Sequence, residues 1–262
     1  MCIRDSFTVS TACSSGGDAI NTACMCMQSG KADIMLAVGA ESVLCPLVIY
    51  SLANAKALSR RNDSPSTASR PFDVTRDGFV IGEGGGALVL ETEEHALARG
   101  AKIYAEIRGC GNTDDAYHVT APHPEGRGAI ACMKQAIAEA GINPSDIGYI
   151  NAHGTATNKG DTVETSSIKK VFGNTLPYVS STKGATGHMM GAGGITETIT
   201  CVKAIETGTV PPTINLNEVD PECAGIDFVA NTAKKAEINF AMSNAFGFGG
   251  QNSSIIVGKY GK

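Results

Sequence analysis

The stretch STACSSGG, residues 10–17, marks the passage from an extended segment into a helix. An apolar run at helical spacing follows Cys13, namely Ile20, Ala23, Cys24 and Met27, and Gly30 closes it. We therefore predict a helix that begins just after Cys13. The partial positive charge of a helix N-terminus would lower the pKa of the Cys13 thiol and make this side chain a candidate nucleophile. The alternative is a buried and inert cysteine.

Outward from this stretch, short apolar strands alternate with amphipathic helices, which is typical of an α/β protein with mixed sheets. Asp161 and Glu164 have the spacing of a capping box, with Asp161 as the N-cap of a helix that runs to about residue 173. A weak boundary near Gly100 divides the chain into residues 1–100 and 101–262. Helices are further predicted at residues 93–99, 126–140, 161–173 and 192–206. Strands are predicted near residues 34–38, 78–81, 87–91, 103–108, 147–152, 178–181, 227–229, 238–243 and 253–257.

Composition excludes several classes of protein. The 262 residues carry a net charge of −5 and are 42% hydrophobic, which excludes whole-chain disorder and a generally basic nucleic-acid-binding surface. No apolar stretch is long enough to span a bilayer, and the first residues lack the pattern of a signal peptide. Nine cysteines without C-x-x-C pairs predict reduced thiols and a cytoplasmic location.

Two histidines follow predicted strands in similar loops. His153 lies in INAHGTAT, residues 150–157, and His188 ends STKGATGH, residues 181–188, five residues after Lys183. Because the strand ends of an open α/β sheet face a shared crevice, we expect these side chains to lie near Cys13. A single histidine in such a loop is usually an ordinary packed side chain, but two in similar settings indicate a site.

Six motifs together carry a resemblance to a known family. They are TACSSGGDAI (11–20), RPFDVTRDGFVIGEGGGALVLE (70–91), YINAHGTATNKGD (149–161), SSTKGATGHMMGAGG (180–194), VPPTINL (210–216) and SNAFGFGGQNSS (243–254). With these motifs the chain resembles the β-ketoacyl-acyl-carrier-protein synthases of the thiolase superfamily, most closely the elongating type called β-ketoacyl-ACP synthase II. The resemblance implies a thiolase-like fold, layered α-β-α-β-α with mixed five-stranded sheets.

The resemblance also implies a reaction. Cys13 would take an acyl chain from an acyl carrier protein, and His153 and His188 would stabilise the enolate formed when malonyl-ACP loses carbon dioxide. The carbanion would then attack the Cys13 thioester in a decarboxylative Claisen condensation of fatty-acid elongation. Lys183 would help to keep His188 neutral. The acids implied as partners of Lys183 are Asp161, Glu164 and Glu197.

Further roles follow from the same resemblance. The backbone N–H groups of Cys13 and Phe248 would form an oxyanion hole, and Phe248 would gate the pocket. Thr155 and Thr157 would bind the phosphopantetheine arm, and Thr120 would flank its entry. The carrier protein supplies that arm, so no cofactor is expected. The parent protein would be a homodimer, with no nucleic acid or membrane as partner.

One local charge feature predicts a docking surface. Residues 56–76 carry a local charge of about +3, and Lys56 and Arg60 are candidates to attract an acidic carrier protein. The alternative is a loop held by internal arginine salt bridges. No metal site is predicted, because His118 and His123 lack a third ligand at suitable spacing.

The chain also departs from the family pattern. The resemblance begins at about Phe7, whereas family members carry a strand–helix half before the nucleophile, so we expect an N-terminally truncated chain lacking most of the first half. Residues 1–6, MCIRDS, match nothing in the pattern. Two alternatives stay open: an inactive fragment of a ketosynthase, and a polyketide-type ketosynthase, since TACSSG suits that branch as well.

Overall fold

The computed structural model describes residues 6–261, so the prediction for MCIRDS falls on residues that lie outside this range except for Ser6. No helix within the described range is long and apolar enough to cross a membrane. The α-helices are α1 (Ser15–Gln28), α2 (Pro46–Asn54), α3 (Glu93–Ala98), α4 (Arg127–Ala140), α5 (Asn158–Phe172), α6 (Lys183–Thr186) and α7 (Gly193–Thr207). The strands are β1 (Ile34–Glu41), β2 (Gly84–Glu91), β3 (Glu106–Asp114), β4 (Ile147–Asn151), β5 (Tyr178–Ser180), β6 (Thr209–Val210), β7 (Asp227–Phe228), β8 (Lys234–Lys235), β9 (Phe240–Phe246) and β10 (Gln251–Gly258).

The larger sheet is mixed and has the strand order β3-β10-β9-β4-β5-β7. Strand β10 pairs antiparallel with β3 and β9, whereas β4 pairs parallel with β9 and β5, and β5 with β7. The resemblance implied five strands, and the structure has six. The additional strand is β7, whose two residues pair with Tyr178 and Val179 and extend the parallel edge.

A smaller sheet pairs β1 with β2 antiparallel over eight residues of each strand. Helices α1 and α7 lie between the two sheets, because α1 contacts both β1 and β10 and α7 contacts β1, β2 and β9. Helix α4 covers β3 and β10 on the far side of the larger sheet and packs on α5. The described residues therefore form four of the five expected layers. The side chains of Leu36, Val38 and Val89 on the smaller sheet stay more than half exposed.

The close approach of α1 and α7 depends on small residues. A Cβ atom added at Gly16 would lie 2.6 Å from the main-chain nitrogen of Ile195, a distance that real side chains do not tolerate. The apolar core on one side of this helix pair includes Ile20 and Ile255. The core on the other face of the larger sheet includes Met133. Both cores support the ends of β4 and β5, from which the histidine loops start.

Some local predictions were wrong. Residues 78–81 form only isolated bridges, because Phe79 pairs with Leu58 and Ile81 with His188 rather than with a continuous strand. Helix α5 starts at Asn158 with Thr157 as its N-cap, so Asp161 is not the N-cap. Helix α2 was not predicted. The domain boundary proposed near Gly100 falls between α3 and β3 and stays a prediction.

Candidate active site

Cys13 lies in a three-residue 3-10 turn, Ala12–Ser14, immediately before α1. The turn requires a left-handed main chain at Ala12, with φ of 51°, which is a strained conformation for a residue with a side chain. The loop that contains Gly247 approaches this turn closely. A Cβ atom at Gly247 would lie 3.2 Å from the Cys13 nitrogen, so only glycine fits without a shift. The Cys13 side chain is 6% exposed.

The structure brings Cys13, His153 and His188 together. The Nε2 atom of His188 lies 3.1 Å from the Cys13 sulfur. The rings of His153 and His188 meet edge to face, with their centroids 5.2 Å apart. Each histidine lies a few residues beyond the end of a parallel strand, His153 after β4 and His188 after β5 and α6. The convergence expected of strand-end loops is therefore present.

Burial dominates the electrostatics of the thiol. Removal from water raises the pKa of Cys13 to about 11, although a hydrogen bond from the backbone N–H of Phe248 and the charge of Lys183 oppose the rise. The backbone N–H of Cys13 at this helix start does lower the pKa, as predicted, but the predicted net lowering was wrong, because the desolvation of a thiolate in this enclosed position is the larger effect. At neutral pH the resting side chain is therefore a thiol.

The same burial keeps both imidazoles neutral. It holds the pKa of His153 and of His188 well below the usual value of 6.5, and the nearby positive charge of Lys183 lowers both pKa values further. Neutral imidazole offers one N–H donor and one nitrogen lone pair. Two such groups beside one thiol can therefore donate hydrogen bonds to a developing oxyanion or accept a proton.

Lys183 is paired with Glu197 inside the protein. Their side chains are 2% and 5% exposed and form a salt bridge. Burial raises the pKa of Glu197 to about 7, while Lys183 opposes the rise. Of the three acids expected around Lys183, only Glu197 forms this direct ion pair among the described residues. The charge of Lys183 reaches Glu164 at longer range.

Glu164 instead holds the main chain at the active-site histidine. Its two carboxylate oxygens accept hydrogen bonds from the backbone N–H groups of His153, at 2.9 Å, and Gly154, at 2.8 Å. The amide of Asn244 lies 3.5 Å from the same carboxylate. Burial raises the pKa of Glu164, and these two backbone hydrogen bonds oppose the rise. Glu164 therefore fixes the position of the His153 loop rather than the position of Lys183.

Asp161 ties a neighbouring loop to α5. Its carboxylate accepts hydrogen bonds from the backbone N–H groups of Phe72, at 2.7 Å, and Ala156, at 3.1 Å. The Arg76 guanidinium lies 3.5 Å away. Burial raises the pKa of Asp161 to about 7 despite these partners. Contrary to both expectations, Asp161 therefore neither pairs with Lys183 nor caps α5. It instead connects the backbone at Phe72 and Ala156 to the helix.

A cavity of about 70 Å³ opens over the cluster. Its lining includes Thr120, Thr155, Thr157 and Phe248, which the resemblance assigns to the pantetheine arm and the gate. The hydroxyl oxygens of Thr155 and Thr157 are 3.1 Å apart. The structure therefore places all four along one access route to Cys13, and their roles stay predictions.

Sequence reasoning missed several aromatic and polar neighbours of the site. The Phe79 ring meets the His188 ring edge to face, with centroids 5.2 Å apart, and Phe246 lies 6.1 Å from His153. Asn244 also accepts a hydrogen bond from the Ser254 hydroxyl. These residues stand inside the quoted motifs, and that membership is the signal that could have identified them.

The basic residues of segment 56–76 fall into two groups. Arg70 and Arg76 are buried and form ion pairs with Asp77, at 2.9 Å, and Asp220, at 2.5 Å. The internal-salt-bridge alternative therefore describes these two arginines. Lys56 and Arg60 are exposed.

Lys56 and Arg60 thus remain available to a partner surface, whereas the buried arginines support the loop that presents them. The docking role of the two exposed cations stays a prediction.

Comparison with known proteins agrees with this geometry. Residues 5–96 match the beta-ketoacyl synthase N-terminal domain, and residues 104–217 match the beta-ketoacyl synthase C-terminal domain. The chain belongs to the beta-ketoacyl synthase family. Among its relatives, the 3-oxoacyl-acyl-carrier-protein synthase 2 of Rhizobium meliloti is 49% identical over 97% of this chain, and that of Synechocystis is 49% identical over 95%. In both cases the chain spans about 60% of the relative's length.

Solved ketosynthase structures confirm the thiolase-like fold. A beta-ketoacyl synthase from Burkholderia phymatum is 41% identical, with a TM-score of 0.92 over 96% of this chain and 60% of that one. A type II polyketide ketosynthase, solved with its acyl carrier protein and bound to the hexaketide, is 39% identical, with a TM-score of 0.94 over 97% and 63%. The recognised family and its fold therefore rest on independent sequence and structural matches.

Proposed function

We propose that the protein to which this ketosynthase chain belongs is an acyltransferase that performs the decarboxylative Claisen condensation of an acyl thioester with malonyl-ACP. The product is a β-ketoacyl-ACP of fatty-acid elongation. The observation that carries this proposal is a buried thiol 3.1 Å from a neutral imidazole, with a second neutral imidazole beside it. An acyl carrier protein delivers both substrates on its phosphopantetheine arm, so the reaction needs no resident cofactor.

The first step acylates Cys13. The sulfur attacks the thioester carbonyl carbon, and the thiol proton moves to Nε2 of His188 in the tautomer that carries its hydrogen on Nδ1. Because the pKa of Cys13 is about 11, the thiol loses its proton as the carbon–sulfur bond forms rather than beforehand. The carrier's sulfur then leaves and takes a proton from solvent, while His188 releases its Nδ1 hydrogen to solvent and keeps the one on Nε2, from which it donates in the second step. The backbone N–H groups of Cys13 and Phe248 stabilise the tetrahedral oxyanion.

The second step generates the carbon nucleophile. Malonyl-ACP enters, and its thioester oxygen accepts hydrogen bonds from N–H groups of His153 and His188. These bonds strengthen as the carbon–carbon bond to the carboxylate breaks, carbon dioxide leaves, and negative charge moves onto that oxygen. Neutral imidazoles suit this task because they donate without adding a second buried positive charge beside Lys183.

The third step forms the new carbon–carbon bond. The enolate carbon attacks the acyl carbonyl on Cys13, and the carbon–sulfur bond breaks as the tetrahedral intermediate collapses. The departing sulfur takes one proton from solvent and becomes the resting thiol. The elongated β-ketoacyl chain stays on the carrier protein.

Partner recognition forms part of the same proposal. Thr120, Thr155 and Thr157 guide the pantetheine arm along the cavity that they line, and Phe248 gates it. Lys56 and Arg60 attract the acidic carrier surface.

Assembly and location complete the proposal. We propose a homodimer for the whole protein, as the resemblance implies. Leu47 and Tyr50 of α2 expose 76% and 70% of their area, which favours cover by a surface outside this chain. The cytoplasm is the proposed location because the described cysteines are free thiols.

A polyketide-type ketosynthase is the second candidate, since the ketosynthase solved with a bound hexaketide matches this fold over 97% of the chain. The fatty-acid reading is preferred because the relatives named 3-oxoacyl-acyl-carrier-protein synthase 2 are more similar in sequence, at 49% against 39% identity. A fatty-acid enzyme should extend a saturated acyl chain once. A polyketide enzyme should also extend the unreduced β-ketoacyl product.

The mass of the intact protein after incubation with acyl-ACP tests the proposal directly. We expect an acyl-sized adduct on the wild type and none on Cys13→Ala. Absence of an adduct on this chain, together with an adduct on a version extended to the full length of its relatives, would support the inactive-fragment alternative. Absence from both would refute the acyltransferase assignment.

A further inference from the structure

The active-site cluster also has the composition of a metal-binding site. One sulfur of Cys13 and one ring nitrogen each of His153 and His188 lie within 4.8 Å of one another. Within residues 6–261, it is the one group of three or more cysteine, histidine, aspartate or glutamate side chains whose ligand atoms lie this close together. Thiolate and imidazole are the preferred ligands of Zn²⁺, and three protein ligands with one open position are typical of reactive zinc sites.

The distances are compatible with tetrahedral coordination. Usual zinc bond lengths separate a sulfur from a nitrogen ligand by about 3.6 Å and two nitrogen ligands by about 3.3 Å. In the structure the Cys13 sulfur lies 3.1 Å from Nε2 of His188, and the other two pairs of ligand atoms lie within 4.8 Å. Shifts of about an ångström or less per side chain would therefore seat an ion of this size.

The surroundings favour a soft divalent cation over a hard one. The three residues offer one sulfur and two nitrogens, whereas Mg²⁺ and Ca²⁺ require oxygen ligands. The salt bridge with Glu197 offsets the positive charge of Lys183. The cavity above the cluster leaves room for water as the fourth ligand.

We infer that Cys13, His153 and His188 bind a thiophilic divalent cation such as Zn²⁺ when no acyl group is present, and that this binding reversibly blocks the nucleophile. The Cys13 S–H bond is exchanged for a sulfur–metal bond, and the proton passes to solvent without any change in oxidation state. The cation withdraws electron density from the bound sulfur, which lowers its nucleophilicity, and it occupies the space between the sulfur and the two histidines. Metal ion and acyl group therefore compete for the same atom.

Cobalt substitution tests the ligand set without any turnover. Metal-free protein titrated with Co²⁺ should show the visible bands of tetrahedral Co²⁺ and a sulfur-to-metal charge-transfer band at one ion per chain. Cys13→Ser should remove the charge-transfer band, and His188→Ala should weaken binding at least tenfold. The matched control Cys45→Ser, together with His118→Ala, removes an exposed cysteine and an exposed histidine and should leave the spectrum unchanged.

Alkylation of the wild type provides the second measurement and does not depend on how the variants fold. At a Zn²⁺ concentration ten times its dissociation constant, iodoacetamide should modify Cys13 about tenfold more slowly, because about one site in eleven is free. A chelator should restore the rate, and Mg²⁺ should have no effect. Unchanged alkylation, or a charge-transfer band that survives Cys13→Ser, would overturn the inference. Both readouts are independent of condensation activity, so the proposed function stands or falls separately.

Discussion

The substitution Glu164→Gln isolates how the His153 loop is held. In the wild type, both oxygens of the buried carboxylate accept backbone hydrogen bonds, from His153 at 2.9 Å and from Gly154 at 2.8 Å. The introduced amide has nearly the same shape but only one acceptor oxygen. Its NH₂ group must therefore face one of the two backbone N–H groups, donor against donor.

The magnitude follows from these two contacts. Losing a hydrogen bond to a charged acceptor costs about 1.5–3 kcal/mol, and leaving a buried donor unpaired costs about 1–3 kcal/mol. Relief of the carboxylate's desolvation offsets part of this, since burial raises the pKa of Glu164. We expect a net loss of about 3 kcal/mol in the free energy of unfolding, which is a fall of about 6–12 °C in Tm for a chain of this size.

The assay pairs urea unfolding with the kinetics of the condensation in the full-length protein. A shift of about 1 Å in His153 should lower kcat by up to about 100-fold with little change in KM, because the role proposed for His153 comes only after the substrate binds. The matched control is Glu139→Gln, whose exposed carboxylate accepts one backbone hydrogen bond, from Cys110 at 3.1 Å, and should cost less than about 1 kcal/mol. Equal stability of wild type and Glu164→Gln would refute the two-acceptor reasoning.

Three further outcomes follow from the structure. Burial raises the pKa of Asp161 from 3.8 to about 7, so its contribution to stability is present at acid pH and is lost as the pH rises through 7. The free energy of unfolding of the wild type should therefore fall by about 2–3 kcal/mol more than that of Asp161→Asn between pH 5 and pH 8, as measured by urea unfolding at both values. Replacing Lys56 and Arg60 by Glu should raise the KM for acyl-ACP several-fold at low salt and leave kcat unchanged; no change in KM would remove the docking surface from the proposal. Gly16→Ala should lower the free energy of unfolding by more than about 3 kcal/mol, because the added Cβ would lie 2.6 Å from a main-chain nitrogen of α7. The control Gly148→Ala, whose Cβ would have its nearest neighbour at 3.6 Å, should lower it by less than about 1 kcal/mol; calorimetry measures both.

Much of the fold was predictable because the periodicity of the chain is local information. Helix α4 was predicted at residues 126–140 and runs over Arg127–Ala140, since its apolar stripe and the closing Gly141 mark both its face and its end. Helix α2 was missed. Its segment Pro46–Asn54 has an apolar, partly β-branched composition that does not distinguish a helix from a strand.

The limits of the site prediction have a different origin. The convergence of His153 and His188 was predictable because both follow strands that end at one edge of a sheet. The partners of Asp161 and Glu164 were not, because they are backbone N–H groups of loops whose path depends on tertiary packing. Sequence spacing carries no information about which carboxylate accepts from which main chain.

Burial explains why Cys13 and the two histidines act together rather than separately. The removal of water that raises the pKa of Cys13 to about 11 is also what holds both imidazoles neutral. A site that left the sulfur permanently ionised would need more water or a protonated histidine, and either would weaken the hydrogen-bond donors that the proposed reaction uses to stabilise the enolate. The same burial therefore accounts for both the neutral thiol and the two neutral imidazoles of the resting site. In the proposed reaction, activation of the sulfur therefore waits for the thioester, whose carbonyl carbon takes the electron pair as His188 takes the proton.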